Sequence, residues 1–96
     1  MAKDGELYMG WGRAMLLERI DKFGSIAEAA RSMRLGYRSA WLWIEAMNRL
    51  APAPLVEKTT GGVGGYHSRL TEAGRKAVNE YKELRARFQE FLSQSR

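Results

Sequence analysis

The 96-residue sequence contains no cysteine, one histidine and two prolines, and each scarcity removes a class of chemistry. Without cysteine there is no disulfide framework and no thiol-based redox or metal chemistry. A lone histidine, His67, is too little for a protein-only zinc site, so neither a metal nor another cofactor is expected. No apolar run approaches the ~20 residues of a membrane-spanning helix. The opening MAKDGELYMGWG lacks the basic-then-apolar order of a secretory signal. These gaps predict a cytoplasmic chain with no membrane partner. The layout brings together neither a Ser/His/Asp set nor a carboxylate pair in a pocket, so no catalytic residue is assigned and an enzyme is not expected.

What the sequence does carry is positive charge. The formal net charge is +5, and it is unevenly placed. Between residues 31 and 69 stand Arg31, Arg34, Arg38, Arg49, Lys58 and Arg69 against Glu45 and Glu57, so four of the five excess charges fall there. A local basic surface is the footprint of a polyanion partner, although many soluble domains are mildly basic without one.

The length suits one domain over residues 1–96. Residues 1–11 are expected to fray. From Gly12, the residues Leu16, Leu17, Ile20 and Phe23 recur at helical spacing until Gly24 stops the helix. Ser25-Ile26-Ala27-Glu28 is a capping-box pattern opening a short alanine-rich helix to about Met33. Leu35-Gly36 breaks it. A third helix then runs from Tyr37 to about Leu50, with Ala40, Ile44 and Met47 as its apolar stripe. Ala51-Pro52-Ala53-Pro54 ends that helix. Leu55 to Thr59 and Tyr66 to Leu70 read as strands joined by a glycine-rich loop, residues 60–65. Thr71 caps a last helix, Glu72 to about Leu92. This order predicts a mainly α fold with a small β-hairpin wing: a winged helix-turn-helix.

In that arrangement the second helix of the motif enters the major groove, its first residues nearest the base edges. Here those are Gly36, Tyr37, Arg38 and Ser39, with Trp41 and Leu42 one turn on. Arg38 suits a guanine edge or a phosphate. Ser25, at a helix N-terminus, suits a phosphate oxygen. The wing would bring Lys58, Thr59, Thr60, His67 and Arg69 to the DNA backbone. The competing reading is a plain helical hairpin with a floppy tip that touches nothing. The GGVGG loop is not a nucleotide-binding loop, because no lysine followed by serine or threonine opens a helix after it. Trp41 and Trp43, two apart, cannot share a helix face; Trp41 flanks the core stripe, and Trp43 points to a neighbouring helix or subunit.

In the last helix Ala77, Tyr81, Leu84, Phe88 and Phe91 alternate spacings of four and three, the seam of a heptad. So much apolar surface predicts a homodimer, with Leu16 and Ile20 of the first helix joining helix 72–92 at the interface. The seam folding back on the first helix is the alternative. Two-fold symmetry would set two recognition helices ~34 Å apart, matching a palindromic operator.

Taken together, GSIAEAARSMRLGYRSAWLWIEAMNRL and LVEKTTGGVGGYHSRLTEAGRKAV resemble the N-terminal DNA-binding domain of molybdate-responsive transcriptional regulators, in the LysR-type winged-helix group. The resemblance runs from about Gly12 to Leu92. It is carried by the Gly36-to-Trp41 helix start, Met47-Asn48, the Gly-Gly-x-Gly-Gly wing, and Leu70-Thr71-x-x-Gly74. It implies an operator-binding dimer held by the first and last helices. Serine is common in the group where Gly36 stands, so the side-chain cap is expected to be missing, with Arg38 and backbone amides taking over the phosphate contact. Full-length members continue into a molybdate-binding module, which this chain, ending at Arg96, is not expected to contain. The expected function is a sequence-specific regulator that binds double-stranded DNA as a homodimer. A protein-interaction or oligomerisation module on the same fold is the alternative, and an oxyanion-gated switch at the dimer interface a third.

Overall fold

Residues 1–11, where fraying is expected, carry regular structure. In the computed structural model, which describes residues 1–60 and 66–94, β1 (Ala2–Lys3) and β2 (Glu6–Leu7) pair antiparallel, Ala2 opposite Leu7. Asp4 and Gly5 between them take positive φ, 51° and 79°, the backbone of a two-residue hairpin turn that favours Asp-Gly. Tyr8 and Met9, 5% and 0% exposed, then anchor the segment in the core. Burial, and after it the Glu80 carboxylate, holds the Tyr8 phenol above its ordinary pKa.

Helix α1 (Trp11–Phe23) ends where Gly24, in the left-handed region at φ 69°, donates its N–H to the Ile20 carbonyl. Ala14, Leu16, Leu17 and Ile20 are its buried residues. Leu16 and Ile20 are wholly enclosed within the single chain, which corrects their assignment to a dimer interface. The helix has one apolar face, and segments 26–32, 66–70 and 72–94 of the same chain occupy it.

Ser25 caps α2 (Ile26–Ser32) as its sequence requires: its hydroxyl oxygen accepts the Glu28 N–H at 3.2 Å. In the turn after α2, Arg34 takes the left-handed backbone, at φ 55°. There the Leu35 N–H reaches back to the Ala30 carbonyl at 2.9 Å. Gly36 is extended (φ −63°, ψ 143°) and is the N-cap of α3 (Tyr37–Leu50), without a side-chain cap bond. Ala40, Ile44 and Met47 line the core as their spacing predicts.

Asn48 ties α3 to the first strand of the second hairpin. Its Oδ1 accepts the N–H of Leu55 at 2.8 Å and of Val56 at 3.3 Å. This clasps the chain as it enters β3 (Val56–Thr60), which pairs antiparallel with β4 (Tyr66–Leu70), Val56 opposite Leu70. The Ser68 N–H donates to the Gly24 carbonyl at 3.0 Å and fixes the hairpin to the end of α1. The expected wing tip, residues 61–65, and the side chain of Thr60 lie outside the described residues.

Helix α4 (Glu72–Gln94) begins at Thr71, whose hydroxyl accepts the Gly74 N–H at 3.0 Å and donates to the Pro54 carbonyl at 2.6 Å. Gly74 is buried against the Leu55 carbonyl so closely that a Cβ there would overlap it. Lys82–Glu18 (2.6 Å) and Arg75–Asp21 (3.7 Å) flank the α1–α4 contact. Ala77 and Tyr81 are partly buried against the core. Beyond them Leu84, Phe88, Phe91 and Leu92 are 46–63% exposed.

Candidate nucleic-acid interface

Exposed residues follow one another along α2, the turn after it and the start of α3. Gly36, Tyr37, Arg38 and Ser39 are all exposed, as a helix N-terminus bearing uncapped N–H groups must be to meet an anion. Leu42 is 53% exposed, and as the i+4 neighbour of Arg38 it lies on the same helix face. Ser25 is half-buried; its hydroxyl oxygen is engaged as the α2 cap, which leaves the O–H itself as a donor.

The local basic excess divides when partners are assigned. Arg49 pairs with Glu6 at 2.7 Å, tying the end of α3 to the N-terminal hairpin. Arg69 pairs with Glu57 across the β3–β4 ladder at 2.8 Å. Both pairs are exposed and weakly held, at roughly 0–1 kcal/mol, so a phosphate can compete for either arginine. Arg31, Arg34 and Arg38 enter no ion pair among the described residues. They succeed one another along the end of α2, the turn and the first turn of α3. Arg31 and Arg34 contribute to the charge excess without being candidate site residues on sequence grounds; both are exposed and flank the same turn as Arg38.

Trp41 is neither a plain core residue nor free. It is half-buried against the core, its indole N–H donates to the Tyr37 hydroxyl at 2.6 Å, and the Lys58 ammonium sits 4.2 Å from its ring centroid. The i, i+4 spacing of Tyr37 and Trp41 is the sequence signal for the first contact; no local pattern signals the second. Trp43 turns the other way, as its spacing predicts. Its ring lies 3.6 Å from where a Gly12 Cβ would stand and 5.3 Å from the Arg13 guanidinium carbon, so it is used inside the chain. Burial of that guanidinium lowers the Arg13 pKa, with Glu6 opposing.

The wing residues divide by strand alternation. Lys58 lies on the face carrying buried Val56 and Ser68 and reaches α3. Thr59, His67 and Arg69 alternate to the opposite face, where the Thr59 hydroxyl donates to the His67 carbonyl at 3.4 Å. The structure therefore joins Lys58 to the α3 N-terminus and leaves those three on the outer side of the hairpin. Among the described residues no cluster of histidine, cysteine, aspartate or glutamate could hold a metal ion, and no helix is long and apolar enough to cross a membrane.

No family model matches the chain. Individual relatives do. The molybdenum transport protein ModE of Azotobacter vinelandii is 44% identical over 80 residues, 83% of this chain and 30% of its own length. The transcriptional regulator ModE of Haemophilus influenzae is 39% identical over 78 residues, 81% of this chain and 31% of that one. The DNA-binding transcriptional dual regulator ModE of Escherichia coli K12 is 40% identical over 72 residues, 75% and 28% of the two chains. The chain thus spans just under a third of the length of the curated relatives it matches.

Proposed function

We propose that this chain, over the region it shares with the ModE proteins, belongs with those transcriptional regulators and is itself a sequence-specific DNA-binding regulator. The α3 N-terminus enters the major groove, Arg38 and Leu42 face base edges, and Arg31, Arg34 and Lys58 grip the flanking phosphates. Arg38 suits guanine and Leu42 a thymine methyl group. The observation that carries this reading is the run of three arginines across the α2–α3 turn with no acidic partner among the described residues. Thr59, Thr60, His67 and Arg69 belong to the wing's contact with the backbone, and Arg69 exchanges Glu57 for phosphate on binding. The protein acts in the cytoplasm as a member of the LysR-type winged-helix group.

The DNA-bound form is a homodimer joined along the exposed half of α4. Leu84 and Phe88 are 46% and 59% exposed one turn apart, and a second copy of the same seam would cover them in the manner of a coiled coil. A palindromic operator is the consequence of two-fold symmetry.

The test is charge reversal at Arg38. Arg38→Glu should abolish binding to a duplex selected by the wild-type protein while leaving its sedimentation behaviour unchanged. If the wild-type protein binds no duplex but still self-associates, the interaction-module reading replaces this one.

A further inference from the structure

The contact of Lys58 with Trp41, and of Trp41 with Tyr37, joins the wing to the helix that would read the groove. Tyr37 is the first residue of α3 and is 53% exposed. A phenol can both donate and accept one hydrogen bond or more. Here the indole N–H, which can only donate, takes one acceptor position on the hydroxyl oxygen at 2.6 Å. That leaves the phenol's own proton free to donate elsewhere. Over the face of the same indole, the Lys58 ammonium lies 4.2 Å from the ring centroid, within the range of a cation–π contact. That contact holds a flexible four-carbon chain over α3 instead of letting it sweep through solvent.

We propose that Trp41 is a positioning residue that presets two DNA-directed groups, one through its edge and one through its face: its N–H makes the Tyr37 hydroxyl a donor towards the duplex, and its ring face holds the Lys58 ammonium of the wing beside α3. The donor requires an acceptor, supplied by a base-edge oxygen or nitrogen or by a phosphate. The ammonium takes a phosphate. Wing and recognition helix are thereby aligned before DNA arrives, which lowers the ordering cost of binding. This inference rests on the DNA-binding reading above.

The experiment is a set of double-mutant cycles on a duplex selected from a random pool by the wild-type protein, with a scrambled duplex as control. Tyr37→Phe should weaken binding to the selected duplex about tenfold. A loss confined to the selected duplex identifies a base-edge acceptor, and an equal loss on both identifies a phosphate. Lys58→Met should weaken both and reduce the salt slope by about one.

Trp41→Phe keeps a ring face but has no N–H. In that background Tyr37→Phe should cost nothing further, while Lys58→Met should keep most of its effect. In Trp41→Leu, which lacks both features, neither second substitution should matter. The Trp41 indole N–H resonance, identified by its loss in Trp41→Phe, should shift in Tyr37→Phe. If Tyr37→Phe costs the same in Trp41→Phe as in the wild type, or costs nothing in the wild type, the proposal is overturned. Trp41→Phe carries the test if Trp41→Leu fails to fold. Equal wild-type affinity for selected and scrambled duplexes would instead overturn the DNA-reading premise, a result distinct from additive cycles.

Discussion

Adding one methyl group to Gly74 should damage the fold more than a Gly-to-Ala change inside a helix ordinarily helps it. Helix propensity alone favours alanine by about 1 kcal/mol. At Gly74, however, the new Cβ falls well inside 3.0 Å of the Leu55 carbonyl oxygen, with the Leu55 carbonyl carbon at 3.1 Å and Leu70 Cβ at 3.3 Å. The nearest obstacle is backbone, and that backbone is held from several sides. The Leu55 carbonyl accepts the Thr71 N–H at 2.9 Å, the Leu55 N–H donates to Asn48, and the Leu55 side chain is 1% exposed. Relief requires α4 to lift off the strand joint or the Leu55 peptide to turn, and either loosens these bonds. Overpacking of this kind costs about 1–3 kcal/mol, sometimes more, and a loosened buried hydrogen bond adds about 1 kcal/mol. After the propensity gain, Gly74→Ala should destabilise by about 2 kcal/mol, and for a domain of this size Tm falls by about 8–16 °C. Gly12→Ala is the internal control. Its Cβ would meet only the Trp43 ring at an ordinary 3.6 Å, so it should be neutral or raise stability by up to about 1 kcal/mol. Thermal and urea unfolding followed by circular dichroism measures both. A Gly74→Ala protein as stable as the wild type would refute the close approach of α4 to Leu55.

Three further outcomes are expected. Gly36→Ser should add the missing α3 cap at an already suitable φ and ψ and raise stability by about 0.5 kcal/mol in a urea melt, whereas a loss would show that the N-cap assignment is wrong. Arg34→Gly should relieve left-handed strain by up to about 1 kcal/mol yet weaken DNA binding and lower the salt slope by about one; a change of the same sign in both measurements would contradict the dual role. Leu84→Glu with Phe88→Glu should leave the monomer's melting temperature nearly unchanged and shift sedimentation equilibrium to monomer, and a persistent dimer would place the interface elsewhere.

Much of the architecture is legible in the sequence because local physics writes it. The Ala40, Ile44, Met47 stripe, the Ser25 and Thr71 caps and the proline stop after Leu50 each need only a few neighbouring residues to act, and each stands as the sequence indicates. The N-terminal hairpin escapes such a reading because strands of two residues carry no periodicity, although Asp4-Gly5 is a usable turn signal. Leu16 and Ile20 point to an interface only because helical spacing shows that a face is apolar, not what covers it. The glycine in the α2–α3 turn draws attention from Arg34, which takes the left-handed backbone without being glycine. For the candidate site, the α3 residues are legible from the helix-turn-helix order. The wing is less so: strand register divides Lys58 from Thr59, His67 and Arg69, and the Arg49–Glu6 and Arg69–Glu57 pairs depend on contacts between segments distant in sequence.

The central claim is that the α3 edge reads DNA sequence. Its most direct measurement is the affinity of the wild-type protein for a duplex selected from a random pool and for a scrambled duplex of equal length, across a salt series. Specific recognition predicts a ratio of about a thousandfold or more that survives in moderate salt. Equal affinities that fall together along the slope of phosphate contacts alone would contradict it.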